Sequence, residues 1–238
     1  MITLDMLYSW EMMRKRRLAG GTADLGYSTD GLIMHLDAIK NKRSGGHSGT
    51  TTVWEDLSSN HWDVDLYGHT WGADYCAFSG EEGSYGYSPY PATFTGNGTW
   101  EMVWLSSMPP NVWTGSGWVK STIQTGRFGF TAGIGGSVWQ MILLNSLLSW
   151  SGEKRRYIGQ NKTRRLYNGS IVSVTSRIDS AQTPCGFYLA TSEQKNTVEP
   201  SVSTYATQFC AIRVYNRNLS DAEMLAHLAI DTERFALV

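Results

Sequence analysis

The sequence predicts an all-β protein: a sandwich of two antiparallel sheets, with one helix near each end of the chain. Clusters of Gly, Asn, Ser and Thr recur about every ten residues from Leu32 onward, and β-branched and aromatic residues fill the runs between them. The 25 glycines and 10 tryptophans suit a turn-rich sandwich with a large aromatic core. Hydrophobic residues make up 41% of the 238 residues, which excludes an intrinsically disordered chain.

The first predicted element is a helix over Thr3–Leu18. This segment contains good helix formers and no Gly or Pro, and one face repeats at helical spacing. That face consists of Met6, Trp10, Met13 and Arg17. Gly20 and Gly21 end the helix, and the Gly-rich stretch after them indicates a linker. We therefore divide the chain into an N-terminal helix with its linker, residues 1–29, and a β-sandwich, residues 30–238.

The predicted strands of the sandwich then follow in order. They cover Gly31–Ala38, Thr50–Ser59, Trp100–Ser107, Arg127–Ile134, Ser137–Asn145, Thr163–Ser176 and Gly186–Thr191. Asn168-Gly169 is the strongest short signal for a type I′ turn, so the segment around it predicts a hairpin. Four tryptophans in these strands are assigned to the core: Trp54, Trp100, Trp104 and Trp139. Trp62 and Trp71 fit either the core or the surface.

The last predicted elements are a strand and a capped helix. Phe209–Asn216 alternates and is rich in β-forming residues. Ser220 and Glu223 form the S-x-x-E pattern of a capping box, and Leu219 and Met224 occupy the positions of a hydrophobic staple. The helix of about three turns that follows has one apolar face. That face consists of Met224, Leu225 and Leu228.

The segment AIRVYNRNLSDAEM, Ala211–Met224, closely resembles the closing motif of laminin-G-like, concanavalin-A-like lectin domains. The matching residues are Ile212, Arg213, Val214, Tyr215, Asn216, Arg217, Leu219, Ser220 and Glu223. Segments around Gly31, Trp54 and Gly169 are similar to other parts of the family in the same order. The resemblance covers about Asp30 to Asp231. Its ending, AHLAIDTERF, looks like domains of gut bacteria and their phages.

This resemblance implies a concanavalin-A-like jelly-roll sandwich of two antiparallel sheets, with roughly twelve to fourteen strands. It also implies binding, usually of glycans or protein partners, sometimes with calcium in a rim loop. We interpret the closing motif itself as structural, with Arg213 and Tyr215 supporting strand packing and the helix cap.

Composition bounds the partners and the location of the protein. A net charge of -1 gives no electrostatic reason to expect nucleic acid or an anionic membrane as partner. The most apolar run, Met141–Leu148, is too short to span a bilayer. The N-terminus lacks the order of a secretory signal, so we expect a soluble protein, located on a virion or outside cells after release. Cys76, Cys185 and Cys210 are predicted to be buried free thiols, and one disulfide between two of them is the alternative.

Catalysis finds little support in the sequence. Glucanases of the concanavalin-A-like fold need paired carboxylates, and their Glu-x-Asp-x-Glu pattern is absent. The nearest candidate is HWDVDLY, where Asp63 and Asp65 share a predicted strand face between His61 and Tyr67. We therefore expect no enzyme. The same two aspartates are the candidate ligands for calcium, because oxygen ligands suit hard cations.

Aromatic residues in predicted loops favour sugar binding. Trp113 and Trp118 flank a Gly/Ser/Thr loop after two prolines, and Tyr85 and Tyr87 lie in the predicted loop EEGSYGYSPYP. Such rings can stack on the apolar face of a sugar. Packing within the loops is the alternative. Basic clusters at Lys154–Arg156 and Lys162–Arg165 predict a solvated sheet face, or a patch that attracts anions.

Three hypotheses follow for the function. The first is a non-catalytic, lectin-like module that binds a glycan or cell-surface polysaccharide and is displayed on a larger assembly such as a phage virion. The N-terminal helix would attach it to other proteins of the assembly. The second is a structural or decoration protein of a virion without glycan binding. The third is a glycoside hydrolase of the same fold.

Overall fold

The structure is a computed structural model. It describes residues 25–79, 83–92, 98–106, 113–114, 117–118, 128–132, 154–161, 163–167, 169–173, 185–190 and 206–237. The predicted helix over Thr3–Leu18, the predicted strand over Ser137–Asn145 and Trp139 lie outside these ranges. No helix in the described part of the chain is long and apolar enough to cross a bilayer.

The described residues form fifteen strand segments and one α-helix, joined by turns and loops. The strands are β1 (Leu32–Asp37), β2 (Val53–Trp54), β3 (Val64–Tyr67), β4 (His69–Trp71), β5 (Cys76–Ser79), β6 (Tyr85–Ala92), β7 (Thr99–Ser106), β8 (Trp113–Thr114), β9 (Gly117–Trp118), β10 (Phe128–Ala132), β11 (Lys154–Gln160), β12 (Arg164–Tyr167), β13 (Ser170–Ser173), β14 (Cys185–Leu189) and β15 (Ala206–Tyr215). The helix, α1, spans Asp221–Phe235. The predicted all-β class is therefore confirmed.

Two antiparallel sheets form the body of the protein. The eight-stranded sheet has the order β13-β12-β11-β7-β15-β5-β4, and β1 pairs with β15 beside β5. The five-stranded sheet has the order β10-β14-β6-β3-β2, and β8 and β9 pair with each other in a separate ribbon. The main core consists of buried residues from both sheets, as expected for a sandwich. It includes Leu36, Trp54, Leu66, Phe78, Trp100, Met102, Trp104, Phe187, Leu189 and Ile212.

Several local predictions are confirmed and one is wrong. Trp54, Trp100 and Trp104 are buried in the core. The predicted hairpin exists, since β12 pairs with β13 across Gly169, whose φ of 85° a type I′ turn requires. The stretch EEGSYGYSPYP is not simply a loop, because Tyr85–Ala92 forms β6 in the middle of the five-stranded sheet. The alternation of tyrosine with small residues there is a strand pattern.

Helix α1 begins with the predicted capping box. The Ser220 hydroxyl accepts a hydrogen bond from the Glu223 amide, and the Glu223 carboxylate accepts one from the Ser220 amide at 2.8 Å. The cap fixes the direction in which the chain leaves β15. The helix then lies on the outer face of the eight-stranded sheet, where Met224 and Phe235 join an apolar cluster with Val103, Tyr157 and other residues. Residues Leu25 and Tyr27, within the predicted linker segment, pack with Ile230 of the helix.

A buried ionic network lies between this helix and the sheet. Arg213 of β15 donates through Nε to Glu101 of β7 at 2.8 Å, and its two terminal nitrogens bind the carboxylate of Asp231 in α1. All three side chains are 0% exposed. The predicted structural role of Arg213 is therefore confirmed. Arg234 of α1 also forms a buried ion pair, through Nη1, with Asp37 of β1.

Histidine and tyrosine side chains complete the network. His227 Nε2 accepts the amide N–H of Ser28 at 3.0 Å, so its other nitrogen, Nδ1, carries the proton donated to Glu101 at 2.9 Å. Tyr157 donates to the same carboxylate at 2.6 Å. Burial alone would raise the pKa of Glu101, but Arg213 and His227 outweigh it and hold this pKa at about 2. Glu101 therefore stays ionised throughout the physiological range.

Replacing Arg213 by Met should destabilise the protein by about 3–5 kcal/mol, because Glu101 and Asp231 would remain buried without their cation. Arg164→Met is the matched control, since Arg164 pairs with Asp221 while 45% exposed and should cost at most about 1 kcal/mol. Urea unfolding of the two variants and the wild type measures both values. Equal losses would contradict the central role of the network.

His35 should make the protein less stable as the pH falls. Burial lowers its pKa to about 3, so between about pH 6.5 and pH 3 the unfolded chain binds a proton that the folded protein does not. The unfolding free energy should therefore fall by about 1.4 kcal/mol per pH unit from this residue. A His35→Gln variant should show a shallower slope than the wild type between pH 6.5 and 4.5, and a variant of the exposed His47 should not. Parallel slopes for all three proteins would refute the assignment.

Candidate functional site

Four side chains from two neighbouring strands form a patch on the outer face of the five-stranded sheet. Asp65 and Tyr67 come from β3, and Tyr85 and Tyr87 come from β6. Asp65 lies opposite Tyr87 in the ladder, and Tyr67 lies opposite Tyr85. Side chains at directly opposite positions are neighbours on one face of a sheet. We call these four residues the tyrosine face.

The alternation of β3 turns two of these side chains outward. Val64 and Leu66 are buried in the core, whereas Asp65 is exposed and Tyr67 is 46% exposed. Few large hydrophobic side chains among the described residues are exposed to this degree. A two-residue period requires this arrangement once the apolar pair faces the other sheet.

On β6 a glycine allows the same outward orientation of two tyrosines. Gly86 lies between Tyr85 and Tyr87 and faces inward, where a Cβ atom would lie 3.1 Å from Val64 and 3.2 Å from Leu189. A larger residue would push the strand away from the core. The alternation therefore places both tyrosines, each half-buried, on the outer face beside β3.

The rings and hydroxyls of the tyrosine face suit a ligand. Tyr67 and Tyr85 stack with ring centroids 4.7 Å apart and ring planes 25° apart. Within the described residues, the hydroxyls of Tyr67 and Tyr87 and the carboxylate of Asp65 have no hydrogen-bonding partner. Burial raises the pKa of Tyr87, so its hydroxyl keeps its proton at neutral pH and can donate to a ligand.

A tight corner next to the face brings Tyr67 against Tyr85. Strand β3 belongs to the five-stranded sheet and β4 to the eight-stranded sheet, and Gly68 alone joins them with φ of 52°. A Cβ atom on Gly68 would lie 2.9 Å from the carbonyl oxygen of Gly83. The Ser84 hydroxyl donates to the carbonyl of Gly68 at 2.8 Å, which ties the start of β6 to the end of β3.

Asp63, one of the two predicted calcium ligands, already has partners. Its carboxylate binds the guanidinium of Arg43 through both oxygens and accepts the amide of Asp56 at 2.9 Å. Arg43 also lies 3.7 Å from Glu55. Asp65 is on the tyrosine face instead. The described residues contain no group of three or more His, Cys, Asp or Glu that could hold a metal ion, and calcium binding at Asp63 and Asp65 stays a prediction.

The two predicted tryptophans belong to a separate two-stranded ribbon. Trp113 and Trp118 are partners in the β8–β9 ribbon, where the backbone register places them directly opposite each other. The ribbon pairs with neither main sheet in the described structure. Their role in ligand binding stays a prediction.

The predicted basic face is largely occupied. Arg156 and Arg165 are buried, so the expectation of a solvated face is wrong for them. Arg165 donates to Gln160 at 2.7 Å, and Arg156 donates to the hydroxyl of Tyr167 at 2.9 Å. The strands of the basic segments, β11 and β12, pair with each other. Free thiols are confirmed for Cys76 and Cys210, which are buried.

Tyr67 is the member of the face that the sequence argument did not select. In the sequence, Tyr67 is a neighbour of the Asp63–Asp65 pair in HWDVDLY, which predicts a strand. The other tyrosines lie in EEGSYGYSPYP, a segment predicted to be a separate loop. The alternating patterns VDLY and YGYS were signals for two strands with one outward polar or aromatic face each. Their pairing follows from the sheet topology.

Comparisons with known proteins support the fold. No protein-family model matches the chain, and no curated protein matches it in sequence. Among solved structures, a Trypanosoma rangeli sialidase in complex with sialic acid superposes with a TM-score of 0.51 at 12% identity, over 95% of this chain and 38% of that one. The binding domain of botulinum neurotoxin serotype G superposes with a TM-score of 0.50 at 13% identity, over 84% of this chain and 51% of that one.

These likenesses are to parts of larger chains. This chain spans less than two fifths of the sialidase and about half of the neurotoxin domain. At such identities the likeness establishes a shared β-sandwich fold, while any shared site has to be argued from side chains.

Replacing Gly68 by Ala should destabilise the protein by about 1–3 kcal/mol, because the new methyl group meets the backbone of Gly83 in addition to the strain of a positive φ. Gly83→Ala is the matched control: its φ is 83°, but nothing lies within 4 Å of the added Cβ. Denaturant unfolding of the two variants separates the clash from the strain. Equal losses of unfolding free energy in Gly68→Ala and Gly83→Ala would contradict the tight corner at Gly68.

Proposed function

We propose that this protein is a non-catalytic carbohydrate-binding module whose tyrosine face holds the sugar. The observation that carries the proposal is the stacked pair of exposed Tyr67 and half-buried Tyr85, beside Tyr87 and the unpaired carboxylate of Asp65. Rings take the apolar face of a pyranose, and the carboxylate and hydroxyls take its hydroxyl groups. This is the division of roles that a sugar requires of a protein surface.

The setting of the face suits a polysaccharide. Neighbouring strands lie about 5 Å apart and alternate residues about 7 Å apart, so the four side chains cover an area comparable to one or two sugar rings. The side chains stand on paired strands, which fix their spacing before a ligand arrives. A preorganised site loses little entropy on binding.

The described carboxylates favour binding over hydrolysis. A retaining glycosidase needs two carboxyl groups about 5–5.5 Å apart facing the sugar. Glu101 and Asp37 are buried in ion pairs on the eight-stranded sheet, and Asp231 is buried in the ion pair that joins α1 to that sheet. The carboxylate of Asp63 is bound by the guanidinium of Arg43, so it is not available as the second catalytic carboxylate beside Asp65.

The sequence resemblance and the neighbours fit this assignment at the level of fold. We assign the module to the laminin-G-like, concanavalin-A-like lectins on the residues of its closing motif. The sialidase that shares the fold was solved with sialic acid, so a sandwich of this shape occurs in a protein that handles sugars. The assignment of a ligand here rests on the tyrosine face.

We further propose that the module is displayed on a larger assembly, with a phage virion as the leading candidate. Leu25 and Tyr27 pack with Ile230 of α1, on the outer face of the eight-stranded sheet. The tyrosine face lies on the outer face of the other sheet. The chain therefore enters the sandwich on the side opposite to the face, an arrangement that lets residues 1–24 attach while the tyrosines point away.

The test of this function is a glycan array probed with the 238-residue chain, once with calcium and once without it. A Tyr67→Ala, Tyr87→Ala double variant should bind the same glycans with an affinity about tenfold lower or weaker still, because each lost ring removes roughly 1 kcal/mol of stacking. Leu225→Ala is the matched control, since Leu225 is 41% exposed on α1, away from the face. Circular dichroism and thermal unfolding establish that each variant is folded.

The other outcomes have definite meanings. Binding that survives the tyrosine variant but fails in a Trp113→Ala, Trp118→Ala variant would move the site to the β8–β9 ribbon. Binding that requires calcium would assign a cation to Asp63 and Asp65. A folded wild-type protein that binds no glycan at all would overturn the proposal in favour of a structural component of an assembly.

A further inference from the structure

The five-stranded sheet is nearly devoid of charge. Its described strands β2, β3, β6, β10 and β14 contain no Lys or Arg, and Asp65 is their single carboxylic acid. The eight-stranded sheet differs sharply, since β11, β12 and β15 carry Lys154, Arg155, Arg156, Arg164, Arg165 and Arg213. A ligand on the five-stranded sheet therefore meets no basic side chain from its described strands.

Charges at the border of the tyrosine face add to its negative character. Val53 lies opposite Asp65 in the β2–β3 ladder, and Glu55 and Asp63 lie just beyond this pair, after the end of β2 and before the start of β3. Arg43 serves both of these acids: its backbone amide donates to Glu55 at 2.7 Å and its guanidinium binds Asp63. Asp65 itself has no cationic partner among the described residues, and Arg43, the cation at this border, is already paired with Glu55 and Asp63.

We propose that the tyrosine face selects neutral glycans and rejects acidic ones such as sialylated or uronic-acid chains. The inference rests on the proposed function and names its substrate class. An acidic sugar on the rings would bring its carboxylate close to Asp65, with no free Lys or Arg on the described strands of the sheet to compensate. A neutral sugar instead gives Asp65 two hydroxyl groups as donors, which pair the carboxylate.

The size of the effect follows from Coulomb's law. Two like charges a few ångströms apart at a protein surface repel strongly enough to weaken binding by about tenfold or more, and salt screens part of this repulsion. The selectivity should therefore be largest at low ionic strength. It distinguishes this surface from an acidic-sugar site that pairs the sugar carboxylate with a basic side chain.

Matched pairs of glycans test the inference. Lactose-terminated glycans are compared with their sialylated forms, and neutral gluco- and xylo-oligosaccharides with oligogalacturonate, at 50 mM and 500 mM NaCl. The wild type should bind the neutral members at least about tenfold more tightly at low salt. Asp65→Asn should reduce this ratio toward one, because the amide keeps the shape and a hydrogen-bonding oxygen without the charge. Glu233→Gln, an exposed acid of α1, is the control for net charge and should leave the ratio unchanged.

The failures of the two proposals are distinguishable. Acidic glycans bound as tightly as neutral ones, with loss in the Tyr67→Ala, Tyr87→Ala variant, would overturn the charge selectivity while upholding the tyrosine face as a sugar site. A ratio that Asp65→Asn does not change would also overturn it. Absence of binding to every member of both classes, by folded protein, would overturn the proposed function and this inference together.

Discussion

Arg213 lies with its guanidinium between Glu101 of the sheet and Asp231 of the helix, and all three side chains are buried. A planar fork that binds a carboxylate through two nitrogens permits one orientation, whereas apolar surfaces can slide past each other. The ion pairs therefore fix where α1 lies along the eight-stranded sheet. Breaking such pairs is costly even when forming them contributes little, because desolvation offsets most of the attraction.

Because α1 docks on one sheet only, the two outer faces of the sandwich differ: one is covered and the other is exposed. The outer face of the eight-stranded sheet is covered by α1 and by Leu25 and Tyr27, so its acids and cations are used internally. The outer face of the five-stranded sheet keeps Tyr67 exposed beside Asp65. The exposed hydroxyl of Tyr67 and the carboxylate of Asp65 on this second face have no described partner, so a ligand can bind them.

The chemistry of a site, and not the fold that carries it, decides the ligand. The sialidase and the neurotoxin domain share the sandwich with this protein at 12% and 13% identity, which leaves almost every surface side chain free to differ. Here the described strands of the five-stranded sheet carry a single carboxylate and no basic residue. A common scaffold can therefore present surfaces of quite different electrostatic character.

The sequence by itself determined several local elements: the capped helix after Ser220, the hairpin at Gly169, strands such as β1, β7 and β15, and the burial of Trp54, Trp100 and Trp104. These follow from periodicity and turn chemistry, which act between residues close in the chain. Tertiary structure decided the site, because β3 and β6 pair across a corner and so join Asp65 and Tyr67 to Tyr85 and Tyr87. It also decided the ion pairs of Arg213, whose partners lie 112 and 18 residues away. Contacts between distant segments depend on sheet order and register, which no local pattern specifies.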